Sequence, residues 1–75
     1  MKSISLIFIE YIRSECDIKG YKFENMKFLS YSDGGDINGS FNVRNKNNKL
    51  ITFNHKMSTE ELYNYELGKQ LFNKN

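Results

Sequence analysis

The sequence predicts a small α+β domain with the element order α-β-β-β-α. Three observations lead to this fold class. Apolar residues near the start recur at helical spacing, three stretches between residues 21 and 55 alternate apolar and polar residues, and a strong helix-start signal follows at Ser58. The 75 residues have the length of one domain, and we find no linker or repeat, so we expect a single domain over residues 1–75.

The first element is predicted to be a helix over residues 4–18. Ile4, Ile7, Phe8, Tyr11 and Ile12 follow one another at three- and four-residue spacing, and Gly20 is well placed as a C-terminal cap. The segment SISLIFI would also suit a buried strand, so residues 4–12 have two readings. The apolar run ends at Glu10, which makes it too short for the core of a signal peptide.

The middle of the chain predicts an antiparallel three-stranded sheet. Residues 21–32 alternate twice, with a break near Glu24 and Asn25 that fits a bulge or a short turn. Residues 40–45 and 49–55 alternate cleanly, and the intervening Asn- and Lys-rich segment tolerates positive φ, so these two strands should form a hairpin.

The last element, a helix over residues 59–72, has the clearest local signal. Ser58 and Glu61 have the spacing of a capping box, and Met57 and Leu62 that of a hydrophobic staple. We expect this helix to cover one face of the sheet with the N-terminal helix beside it. The predicted core consists of Ile7, Phe8, Ile12, Phe28, Phe41, Val43, Ile51, Phe53, Leu67 and Leu71.

The stretch YSDGGDINGSF, residues 31–41, is the most loop-like part of the chain. Its glycines do not fit the spacing of an EF-hand, and its aspartates would repel a phosphate. Asp-Gly and Asn-Gly are typical of hairpin connections, so we interpret the stretch as a turn. The alternative is an exposed acidic finger that contacts a partner through Asp33 and Asp36.

The composition offers no catalytic, metal or cofactor site. One cysteine, Cys16, and one histidine, His55, are too few for an intrachain disulfide or a four-ligand zinc site, and nothing in the sequence places them together. A free thiol and no export signal favour the cytoplasm. No stretch is long and apolar enough to span a membrane. We therefore expect a protein that is not an enzyme and needs no cofactor.

Two binding functions remain open. The C-terminal helix has more apolar and aromatic surface than one sheet can cover, which favours a partner-binding stripe with Tyr63, Tyr65 and Phe72 as contacts. The partner would be a larger bacterial protein or complex, although the same stripe would also serve a homodimer. The alternative is nucleic-acid binding through the sheet with Arg44, Lys46 and Lys49, which the small net charge of +2 makes the weaker hypothesis.

Three resemblances bear on these functions. The strand KLITF followed by MSTEELYNYELGKQLF resembles the end of three-stranded-sheet DNA-binding domains of plant transcription factors and of integrase arm-binding domains, which implies Arg44 and Lys46 as DNA contacts. The element order also resembles that of double-stranded-RNA-binding domains. The chain is similar in that order, in its small size and in its abundance of Asn and Lys, which is typical of AT-rich genomes, to phage-encoded inhibitors such as anti-CRISPR proteins. This last resemblance implies an inhibitor of a bacterial enzyme or defence complex.

Overall fold

A computed structural model describes residues 3–72, with the backbone alone at Gln70 and Phe72. Five elements follow one another along the chain: α1 (Ile4–Lys19), β1 (Lys22–Tyr31), β2 (Asp36–Arg44), β3 (Leu50–Ser58) and α2 (Thr59–Phe72). The predicted α-β-β-β-α fold is therefore confirmed.

Residues 4–12 form a helix, so the alternative reading of this segment as a strand is wrong. Ser3 precedes the helix, and its Oγ accepts a hydrogen bond from the Leu6 amide at 3.2 Å. At the other end Gly20 adopts a left-handed conformation with φ of 81°. The amides of Gly20 and Tyr21 donate to the carbonyls of Asp17 and Cys16, as in a Schellman motif. Local caps thus fix both ends of α1.

The strands form one antiparallel sheet in the order β1-β2-β3. The β2–β3 pairing is regular from Asp36 opposite Ser58 to Arg44 opposite Leu50. The β1–β2 pairing has two register shifts, one between Phe23 and Asn25 and one between Met26 and Phe28. The first shift lies at the predicted phase break, which confirms that the break marks a bulge.

The loop-like stretch at residues 31–41 is a hairpin turn followed by a strand. The Ser32 amide donates to the Asp36 carbonyl at 2.9 Å, and Gly35 has φ of 86°. The turn interpretation is confirmed for Ser32–Gly35, but β2 begins at Asp36, four residues earlier than predicted. In the β2–β3 turn Asn48 takes the expected positive φ, at 64°.

The core lies between α1 and the sheet. The buried apolar residues on α1 are Ile7, Phe8, Ile12 and Cys16, and those on the strands are Ile37, Phe41, Val43 and Met57. From α2 the described core receives only Leu62. The N-terminal helix therefore supplies most of the helical burial, and α2 packs mainly at the side of α1.

Several predicted core residues are not buried. Phe28 is 56% exposed because the second register shift places it opposite Ser40, on the sheet face away from the helices. Leu67 and Leu71 are 57% and 71% exposed. Phe53 is 37% exposed and Ile51 is half-buried, since both lie on the edge strand β3. Ile7, Phe8, Ile12, Phe41 and Val43 are buried as predicted.

Candidate partner-binding surfaces

An apolar row follows the outward side of α2. Tyr63, Leu67 and Leu71 are spaced four residues apart, which places them on one side of a helix. All of them are exposed, Tyr63 to 49% of its surface. Apart from its chain neighbours and the nearby α2 backbone, no atom of the described residues lies within 4 Å of the position that a Cβ atom at Gly68 would occupy. We call Tyr63, Leu67 and Leu71 the α2 row. The sequence assigns Leu67 and Leu71 of this row to the core and predicts Tyr63 as a partner contact.

The opposite side of α2 packs against α1. The ring of Tyr65 meets that of Tyr11 edge-on at 5.1 Å between centroids, and Lys69 lies 5.9 Å from the Tyr65 ring. The ammonium of Lys69 also lies 3.5 Å from Glu10. Tyr65 is therefore half-buried in a helix–helix contact, which leaves part of its ring for the predicted partner contact. The predicted contact at Phe72 lies outside the described side chains.

The acidic turn adjoins the start of α2. The Thr59 amide, at the first position of α2, donates to the Gly35 carbonyl at 2.9 Å. Asp33 is exposed at the tip of the turn, whereas Asp36 is half-buried and forms a 3.5 Å ion pair with Lys56 of β3. The turn that carries Asp33 is thus bonded to the first residue of α2, and part of the Asp36 charge is balanced within the sheet.

The sheet face away from the helices carries the side chains of the nucleic-acid alternative. The register places Asn42, Arg44, Thr52 and Asn54 on this face, as that alternative requires. The Arg44 Nε lies 2.9 Å from the Glu24 carboxylate, and its Nη1 donates to the Asn48 carbonyl. A phosphate would have to compete with Glu24 for this guanidinium. Lys46 and Lys49 are exposed in the β2–β3 turn, beyond the face itself.

Amide and hydroxyl groups dominate the middle of that face. Asn42 donates to Asn25 at 3.2 Å and accepts from the Thr52 hydroxyl at 2.7 Å. These groups satisfy one another across all three strands, so the centre of the face is neutral. The geometry gives the nucleic-acid hypothesis a flat surface with a neutral centre and with the exposed Lys22 beside Arg44 at one end, and the hypothesis stays a prediction.

A cavity of about 290 Å³ separates α1 from β3. Cys16 and His55, which the sequence does not place together, both line it, with Tyr11 and Glu15 on the same wall. The His55 ring stacks on Tyr11 at 5.6 Å between centroids. No pattern in the sequence predicts that Cys16 and His55 line one cavity, because their proximity depends on where α1 crosses the sheet.

The chemistry of this cavity does not favour a nucleophile. Burial raises the pKa of the Cys16 thiol, and the nearby Asp17 carboxylate raises it further. A raised pKa keeps the sulfur as the less reactive thiol. Burial and the carboxylates of Glu15 and Glu61 likewise raise the pKa of Tyr11. Among residues 3–72, no group of His, Cys, Asp and Glu side chains has the arrangement of a metal site.

None of the described helices has the length and apolarity needed to cross a membrane. Comparison of the chain with protein-family models, curated proteins and solved structures gave no match.

Proposed function

We propose that this chain is a small, non-enzymatic protein-binding module that occupies a surface on a larger protein through the α2 row. The observation that supports this function is the exposure of Tyr63, Leu67 and Leu71 along one side of α2. Large side chains in a continuous exposed row mark interaction surfaces more often than scattered ones do.

The row suits recognition of a helix by a groove. Its members extend over about 12 Å of helix axis, given a rise of about 1.5 Å per residue. Apolar anchors at such spacing are how an amphipathic helix fills a hydrophobic groove on a partner. Tyrosine adds a hydroxyl that can stay hydrated at the rim while its ring is buried.

Negative charge at one end of the α2 row indicates a second property of the partner. Asp33 and Glu60 are both exposed near the N-terminus of α2. A partner groove that is apolar along its length and basic at that end would complement them, and opposite charge speeds association. A nucleic-acid-binding enzyme or defence complex of a bacterium has such basic grooves. We therefore propose an inhibitor or modulator of that kind of complex, encoded by a phage or mobile element.

The test compares two substitutions that add the same charge to the protein. Leu67→Glu places a carboxylate within the row, and Asn47→Glu places one at an exposed position of the β2–β3 turn, at the far end of the sheet from the start of α2. Both proteins should fold, which circular dichroism checks. Each protein and the wild type are immobilised, and the proteins recovered from a bacterial lysate are quantified.

We expect Leu67→Glu to reduce recovery of a specific partner at least about tenfold, which corresponds to roughly 1.4 kcal/mol. Asn47→Glu should recover it as the wild type does. Equal recovery by all three proteins would contradict the role of the α2 row.

A further inference from the structure

β3 is an edge strand whose outer backbone groups can be assigned. The Asn45 amide donates to the Lys49 carbonyl, and the Thr59 amide donates to the Gly35 carbonyl. These two bonds continue the regular β2–β3 hydrogen-bond ladder at its two ends. Because bonded and non-bonded pairs alternate along an antiparallel ladder, the odd-numbered residues of β3 form the backbone hydrogen bonds to β2. The N–H and C=O groups of the even-numbered residues point away from the sheet. These residues are Leu50, Thr52, Asn54, Lys56 and Ser58, and the Ser58 amide already donates to the Glu61 carboxylate.

The two edges of the sheet differ in how they are protected. β1 has two register shifts, and such bulges discourage pairing with another strand. β3 has neither a bulge nor a proline. The ammonium of Lys56, the charged residue of this edge, pairs with Asp36 of its own sheet. Leu50 and Phe53 of β3 are also exposed large apolar residues. The β3 edge is therefore suited to pairing with a strand of another chain.

We propose that β3 pairs antiparallel with β3 of a second copy of this chain, about a two-fold axis at Phe53, to give a continuous six-stranded sheet. With the axis at Phe53, Thr52 pairs with Asn54 of the second copy and Leu50 pairs with Lys56 of the second copy. Leu50, Thr52, Asn54 and Lys56 then all exchange backbone hydrogen bonds. An axis at Thr52 sets Lys56 opposite Asn48, which lies outside β3. An axis at Asn54 sets Leu50 opposite Ser58, whose amide already donates to the Glu61 carboxylate.

The side chains fit the same register. On the helix side Phe53 faces its symmetry mate, and Ile51 faces His55 of the second copy. On the other side the Thr52 hydroxyl faces the Asn54 amide. Aromatic and polar cross-strand pairs of these kinds stabilise sheets, and no two cations face each other. The cavity beside Phe53 and His55 leaves space on the helix side for side chains of the added strand.

Such a contact is isologous, since the same residues meet from both copies, and it closes at a dimer. It does not use the α2 row, which stays available to another protein. The dimer and the proposed function are therefore independent of each other.

Sedimentation equilibrium at concentrations up to about 1 mM tests the dimer. We expect the wild-type mass to rise with concentration toward twice that of the 8.9 kDa chain. Thr52→Pro should remain at the mass of a single chain throughout. Proline removes an N–H that points outward, so the β2–β3 ladder stays intact while the edge is blocked.

Two matched variants complete the experiment. Thr52→Val loses the same hydroxyl bond to Asn42 but keeps the backbone N–H, so it should dimerise as the wild type does. Leu67→Glu should also dimerise, because it alters the α2 row alone. Should Thr52→Pro fail to fold, Phe53→Lys replaces it, since this variant sets two cations face to face at the axis.

Two results would overturn the proposal. One is a wild-type protein that stays monomeric over the whole concentration range. The other is a dimer that persists in folded Thr52→Pro or Phe53→Lys, which would place the interface elsewhere.

Discussion

Gly39 permits the close approach of α1 to the sheet. It lies in β2, and an added Cβ would stand 2.5 Å from the Phe8 ring and 2.8 Å from the Met26 methyl. The Met26 methyl ends a flexible side chain and can move. The Phe8 ring is fully buried in the core and cannot give way without disturbing its neighbours.

Gly39→Ala should therefore lower the free energy of unfolding by about 1–3 kcal/mol, the usual cost of overpacking a core. Urea denaturation followed by circular dichroism measures it. Gly34→Ala is the matched control: Gly34 lies in the exposed turn, where the nearest atom to an added Cβ is the Ser32 hydroxyl at 3.9 Å. Equal stability of the two variants would show that Phe8 does not rest on Gly39.

The sequence could not reveal this role of Gly39. Asn38-Gly39 is a typical turn dipeptide, and it predicts a strand that begins only at Ser40. In the folded chain the dipeptide continues β2 because Phe8, 31 positions earlier in the sequence, packs on the glycine. Local turn propensity yields here to a contact between distant segments.

α2 is the element whose start the sequence predicts best, because its cap is local. The Glu61 amide donates to the Ser58 hydroxyl at 3.1 Å, and the Glu61 carboxylate accepts from the Ser58 amide at 3.2 Å. Met57 and Leu62 are both buried in the core. The predicted capping box is confirmed, and the burial of both apolar residues fits the predicted staple.

Ser58→Ala should cost about 0.5–2 kcal/mol, the usual effect of losing such a cap. Since Leu62 is the one apolar residue of α2 in the described core, we expect the loss to appear first as opening of α2. Hydrogen exchange should accelerate in α2 amides and remain slow in β2. Ser58→Thr retains a capping hydroxyl and serves as the control. Uniform acceleration in all elements would instead mean that α2 and the sheet open together.

The side of α2 that faces the protein could not be predicted in the same way. The sequence offers two apolar stripes, one through Tyr63, Leu67 and Leu71 and one through Tyr65. The first contains Leu67 and Leu71, which the sequence assigns to the core. Yet β3 passes directly into α2 at Ser58, and this connection turns Leu62 and Tyr65 toward α1. Periodicity indicates which residues share a side, whereas the connection decides which side is buried.

At the scale of the whole molecule, the protein is one layer of helices on one sheet. Its Cα atoms extend over 36 × 35 × 16 Å. The order of elements follows from signals along the chain and was predictable. The unequal contribution of the two helices was not, because both carry enough apolar residues to cover the sheet. A thin molecule of this kind leaves one sheet face, the β3 edge and the α2 row exposed.

The unequal contribution of the two helices to the core predicts which substitutions destabilise the molecule. Phe8 is fully buried beneath α1, and its replacement by Ala should cost about 3–5 kcal/mol. That amount is comparable to the whole stability of a small domain, so Phe8→Ala should lack a cooperative thermal transition. Leu71→Ala removes a side chain that is 71% exposed and should melt within a few degrees of the wild type. If Leu71→Ala unfolds the protein instead, the α2 row belongs to the core, and its proposed role in partner binding is wrong.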